Sequence, residues 1–242
     1  ATALATSCAP ALGLYLMDNM GFTTLFLCSA GSAVIALIIF LLLKVPRVEA
    51  VKKPLSFKAL IDRDALPASS VMLVFLLTFG ALENFLAKFA SDSNLPTGGI
   101  YFAIMSCMLL LVRVTVGKVA DQKGEGLFVY SCNAAMFTAF LLLAFHPNTV
   151  TFVLSAVLAG YGFGGLEPAL QSMAVHIAHS TFLCAYDIGI GIGGGIAGLL
   201  ITCCGYSKMF VIISLSNIAS VILYVVWGKK HPSSFSYVKH CN

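Results

Sequence analysis

Eight long apolar runs constrain this chain more than anything else in it. They cover about 1–17, 21–43, 69–90, 97–117, 126–145, 149–175, 180–203 and 206–228. A helix needs roughly 20 mostly apolar residues to cross the ~30 Å hydrocarbon core of a bilayer. Lipid offers no partner to a bare peptide group, so each run must be helical. The runs are continuous rather than alternating, which excludes a transmembrane barrel. Composition agrees: 59% of residues are hydrophobic and 10% charged, whereas soluble domains carry about 25% charge.

The basic residues give the runs a direction. Lys44, Arg47, Lys52, Lys53, Lys58 and Arg63 lie between the second and third runs. Arg113, Lys118 and Lys123 are counted between the fourth and fifth, and Lys229, Lys230 and Lys239 follow the eighth. Only Lys88 and Lys208 fall at the opposite ends. The positive-inside rule then predicts both termini in the cytoplasm of a multi-pass cell-membrane protein. The stretch 44–68 holds Pro46, Pro54 and Pro67 and reads as a cytoplasmic linker with a short surface helix near Phe57–Ile61. The organisation expected is 1–43 as two helices, 44–68 as linker, 69–228 as a six-helix unit and 229–242 as a cytoplasmic tail. Two helices, a long basic loop and six helices are what a two-half transporter leaves when its first four helices are missing.

Other classes lack their residues. None of the eight cysteines forms a C-x-x-C pair, and most lie inside apolar runs, so neither a disulfide scaffold nor a metal site is expected. There is no G-x-x-x-x-G-K-[ST] for nucleotide and no H-E-x-x-H for an intramembrane metalloenzyme. No cofactor, enzymatic activity or nucleic-acid partner is therefore expected. A receptor or channel stays open as a different class, although no repeated filter loop is present. No basic n-region with a short apolar core opens the chain.

Three motifs carry a resemblance. Gly117-Lys118-Val119-Ala120-Asp121-Gln122-Lys123-Gly124 is similar to the G-x-x-x-D-x-x-G loop of the major facilitator superfamily, in the copy after its eighth helix, with Arg113 one turn earlier. Glu125 follows, where the superfamily usually has a basic residue. Ala5-Thr6-Ser7-Cys8-Ala9-Pro10-Ala11-Leu12-Gly13 resembles the fifth-helix motif associated with exporters and antiporters, with alanine for two usual glycines. The segments Gly160–Gln171 and Thr181–Gly191 resemble the tenth and eleventh helices of bacterial drug-exporter-like members. The resemblance implies a fragment covering the fifth to twelfth helices of a proton-coupled transporter of a small organic solute. Efflux is the direction implied; uptake of a sugar or metabolite is the alternative. Its partners would be membrane lipid, the solute, protons and the missing N-terminal helices of the same protein.

Residue roles follow. Gly117 would admit a neighbouring helix, and Asp121 would accept hydrogen bonds from a helix N-terminus near Ser180 and Thr181, forming a cytoplasmic latch with Arg113 and Gly124. Arg113 would pair with Asp121 or face a lipid phosphate; an ordinary basic turn is the alternative. Pro10 and Gly13 on the first run would serve helix packing. Gly191 with Gly195, and Gly194 with Gly198, form small-x-x-x-small pairs suited to the same purpose. A carboxylate within a span is costly and normally faces a cavity or a partner. Glu83, Glu167 and Asp187 are such carboxylates. Glu83 and Glu167 would line the central cavity by resemblance and take up protons; Asp187 suits a structural role. Asn84, Tyr161 and Gln171 are further substrate candidates, each equally able to bond a neighbouring helix.

Overall fold

The computed structural model describes residues 2–43, 65–123, 126–174 and 179–228. The predicted linker helix, Gly124, His176 and the tail 229–242 lie outside the described residues. Among the described residues six helical runs are present: α1 (Thr2–Leu42), α2 (Leu66–Asp92), α3 (Gly98–Lys123), α4 (Gly126–Phe145), α5 (Thr149–Ala174) and α6 (His179–Val226). All six contain a stretch long and apolar enough to cross a membrane.

Two of these runs are hairpins. Straight, the 48 residues of α6 would span roughly 70 Å, more than twice the bilayer core. Gly205 interrupts it at φ 78 and ψ 174, a backbone conformation closed to side-chain-bearing residues. Before that break, Gly189 lies on Leu73, Gly193 on Leu77 and Gly198 on Phe85, so the first arm runs parallel to α2. After it, Tyr206 and Phe210 pack on Phe89, and the Ser220 hydroxyl donates to the Val71 carbonyl at 3.0 Å. The second arm therefore runs back down the same helix. Gly21 breaks α1 in the same way, at φ 80 and ψ 170. A Cβ on Gly13 would lie 3.8 Å from Leu25 Cδ1, although a straight helix would hold these residues about 18 Å apart. The eight predicted runs are thus six helices, two of them folded back on themselves.

Because the break at Gly205 admits only glycine, Gly205→Ala is expected to destabilise the bundle by about 1–3 kcal/mol. A fall in the thermal unfolding midpoint in detergent measures it; an unchanged midpoint would refute the backbone argument.

From α2 onward the helices form one bundle. α3 and α5 run parallel, with Gly160 against Met108, Gly164 against Leu109, and Tyr101 sharing a 2.9 Å hydrogen bond with Ser155. α4 runs antiparallel to the second arm of α6, through Tyr130 on Tyr224 and Phe140 on Phe210. The core holds Phe75, Tyr101, Phe140, Phe152, Phe163 and Phe210, all fully buried. Burial here gains dispersion contacts rather than escape from water, since lipid is as apolar as the core. The first arm of α1 leans on α3, where Leu14 approaches Gly99. Its second arm buries none of its apolar side chains; Phe22, Phe26, Ile35 and Phe40 are all exposed, as a lipid-facing helix allows.

The structure corrects the predicted loop at 117–124. α3 stays helical to Lys123, so Gly117 and Asp121 are helical positions rather than loop residues. Tyr224, near the end of the second arm of α6, is buried with its ring against Tyr130.

Candidate functional site

The site is built where α2, α3, α5 and the first arm of α6 meet. Arg113 on α3 and Glu167 on α5 form an ion pair through Nη2 and Oε2. Their side chains retain 21% and 19% exposure, so the pair is held largely away from solvent. It lies roughly 10–15 Å inside the helix ends at Lys123 and Ala174, counted along the axis. Arg113, expected between the fourth and fifth runs, is a helical residue of α3 paired with Glu167. A residue assigned to the latch and one assigned to proton uptake are the two halves of a single contact.

Local sequence explains the placement. α5 approaches α3 through Gly160 and Gly164, where a Cβ would meet Met108 Cβ and Leu109 Cα at 2.9 Å. That approach brings the next turn of α5, carrying Glu167, within reach of Arg113. Pro168 follows at once and lies inside the helix. Its ring nitrogen cannot donate to the carbonyl four residues back, so the backbone is loosened beside the carboxylate. The Nε of Arg113 is buried and has no hydrogen-bond partner among the described residues.

An aromatic layer lies one turn along. Phe79 of α2 and Phe163 of α5 stack with centroids 4.1 Å apart and planes 7° apart. Tyr186 of α6 tilts onto Phe163 at 6.4 Å. Glu83 and Asn84 sit one turn beyond Phe79 on α2 and are exposed at the bundle face, as is Asp187 on α6. The order along the bundle is a polar layer, an aromatic layer and a second polar layer.

The remaining predicted residues separate from this cluster. Tyr161 turns to α4, sharing a 3.0 Å hydrogen bond with Ser131. Asn84 donates back to the Gly80 carbonyl of its own helix at 2.7 Å and rests on Gly194. Gln171 is half-buried on α5. Pro10 and Gly13 lie in the first arm of α1. The glycine expectation is corrected in part. Nothing among the described residues comes within 4 Å of a Cβ at Gly191 or Gly195, so these two do not pack a helix there. The close approach to α2 is made by Gly189 and Gly193, with Gly194 against Asn84 and Gly198 against Phe85.

Sequence reasoning missed Phe79, Phe163 and Tyr186. A signal for two of them was present. Phe79 precedes Glu83 by four residues, and Phe163 precedes Glu167 by four. Residues four apart share a helix face, so each carboxylate carries an aromatic ring on its own side.

A sequence model of the Major Facilitator Superfamily matches residues 1–181. The chain belongs to the major facilitator superfamily. Superfamily relatives include the uncharacterized MFS-type transporter YhhS of Escherichia coli K12, 25% identical over 231 residues, covering 91% of this chain and 56% of that protein. The gentisate transporter of Corynebacterium glutamicum is 28% identical over 129 residues, 52% of this chain and 29% of that one. An uncharacterized MFS-type transporter of Burkholderia mallei is 24% identical over 159 residues, 61% of this chain and 38% of its own. The chain thus spans about half the length of the YhhS relative it matches. Superfamily membership and the long apolar helices make it a multi-pass membrane protein.

Proposed function

We propose that this chain forms part of a secondary transporter that moves a small organic solute out of the cell in exchange for protons, by alternating access. In this reading it sits in the cell membrane with both termini in the cytoplasm, and 69–228 is the C-terminal six-helix half. The Arg113–Glu167 pair carries the reading. Two opposite charges held largely out of water attract strongly and stay together while both are ionised. A proton on Glu167 cancels one charge and releases the guanidinium, which loosens α5 from α3. Loss of the proton restores the contact. A helix–helix contact made and broken by one proton is what coupling to a proton gradient requires. The charge placement that predicts cytoplasmic termini supports the orientation.

The test uses inverted membrane vesicles from cells expressing the native gene. Glu167→Gln is expected to reduce solute-driven proton movement to background, while Glu167→Asp keeps a measurable fraction. A pH-sensitive dye inside the vesicles reads both. Full proton movement in the glutamine variant would show that coupling lies elsewhere. Solute accumulation only in right-side-out vesicles would make the protein an uptake permease instead.

A further inference from the structure

The seam between α4 and the second arm of α6 repeats every seven residues. On α4 it carries Gly126, Asn133 and Phe140; on the second arm it carries Tyr224, Asn217 and Phe210. A step of seven falls about 20° short of two full turns and advances roughly 10 Å, so each set of three shares one helix face. The two helices are antiparallel, and the outer rungs are seen directly. Phe140 meets Phe210 edge to face with centroids 5.5 Å apart, and a Cβ on Gly126 would lie 3.0 Å from the Tyr224 hydroxyl. Equal steps in opposite directions keep the rungs level, so the middle rung is Asn133 opposite Asn217.

Both asparagines are buried, at 1% exposure each. Each amide turns back on its own helix. Asn133 Nδ2 donates to the Val129 carbonyl at 2.8 Å, and Asn217 Nδ2 donates to the Ser214 carbonyl at 3.1 Å. Each Oδ1 is then buried with no hydrogen-bond partner among the described residues. A bare buried acceptor is costly, and apolar side chains have no donor to give it. An asparagine amide carries two N–H donors and one acceptor oxygen. With one donor spent on its own helix, each residue keeps one N–H to give and one oxygen to receive. The two are complementary in number and kind.

We propose that Asn133 and Asn217 form a clasp between α4 and the second arm of α6, a reciprocal amide pair in which each N–H donates to the other's Oδ1. The structure described here holds the clasp open. The closed form keeps the bonds to Val129 and Ser214 and adds two across the seam, so no amide group is left bare. It is therefore the more stable packing, and small rotations of the two amides about Cβ–Cγ separate it from the open one. A polar rung in an apolar seven-residue seam also fixes register, because a slip of one turn would strand both amides. Opening the clasp frees the second arm to shift against α4. The clasp is independent of the Arg113–Glu167 contact, which joins α3 to α5.

The experiment measures thermal unfolding midpoints in lipid nanodiscs for the protein expressed from the native gene, for Asn133→Leu, for Asn217→Leu and for the double replacement. Leucine keeps the branching of asparagine and removes its polar atoms. Each single replacement strands the opposite amide and is expected to lower the midpoint by about 4 °C. The double replacement is expected to lie within about 1 °C of the unchanged protein, since both partners leave together. Neutral or raised midpoints in both single variants would show that the amides never join, and additive losses would show that they act apart; either result overturns the clasp. Should a single variant fail to fold, recovery of folded protein in the double supports the clasp, and failure of the double overturns it. Side-chain amide NMR signals from labelled asparagine give a second reading. Replacing either residue is expected to shift the other's signal, and signals unmoved in both variants would overturn the pair.

Discussion

Alanine at Glu167, with Arg113 left in place, is expected to destabilise the bundle by about 3 kcal/mol, near the low end of what a broken buried ion pair costs. The reason lies in what remains. The Arg113 side chain is about four-fifths buried and its Nε already lacks a partner among the described residues. Without the carboxylate, a full positive charge is left between α3 and α5 with nothing to compensate it. Arg113→Ala is expected to cost a comparable amount through the stranded Glu167. The double replacement Arg113→Met with Glu167→Leu is expected to recover most of the loss, because apolar side chains of similar volume need no counter-charge. Unfolding midpoints in one detergent of the unchanged protein, Arg113→Met alone, Glu167→Leu alone and the double replacement form a double-mutant cycle. Additive losses would mean that the two residues act independently and that the pair does not hold the helices together.

The second large effect concerns the glycines between α2 and α6. A methyl group on Gly80 would lie 2.9 Å from the Ile190 Cα, and one on Gly193 would lie 2.7 Å from the Leu77 Cα. Both obstacles are backbone, which cannot rotate aside. Gly80→Ala and Gly193→Ala therefore push two helices apart, at a cost expected to reach about 3 kcal/mol each. Gly191→Ala and Gly195→Ala meet open space. They should be neutral or stabilising by up to about 1 kcal/mol, since alanine is the better helix former. The contrast among four identical substitutions on neighbouring positions, read as yield of folded protein and unfolding midpoint, tests the packing directly. Similar losses at Gly191 and Gly193 would contradict it.

The helices were largely legible from residue type. The run predicted at 69–90 is helical over Leu66–Asp92, and the predicted break between 203 and 206 falls at Gly205. Length against bilayer thickness accounts for that success, because it does not depend on which faces meet. The site was harder for the opposite reason. Arg113 and Glu167 are fifty-four residues apart, and their pairing depends on how α3 and α5 are rotated and shifted against each other. The glycines show the same limit. Gly189 with Gly193 and Gly191 with Gly195 are both spaced by four, and residues two apart on a helix point about 200° apart. One pair must therefore face away from α2, and residue type does not say which. The carboxylates stood out because charge within a span is conspicuous. Their aromatic companions did not, because phenylalanine is unremarkable in an apolar run.

Helix α2 lies in the fork of the α6 hairpin, and this has a consequence for how the protein is made. A ribosome adding about 5–20 residues per second needs on the order of ten seconds to pass from Asp92 to Val226. Throughout that interval α2 is in the membrane with its permanent neighbour still unwritten. Its thin glycine face at Gly80 and its side chain at Asn84 look onto lipid or a provisional companion. The newborn helix thus has reason to linger beside the insertion machinery until Gly205 turns the chain and the second arm comes back to close around it.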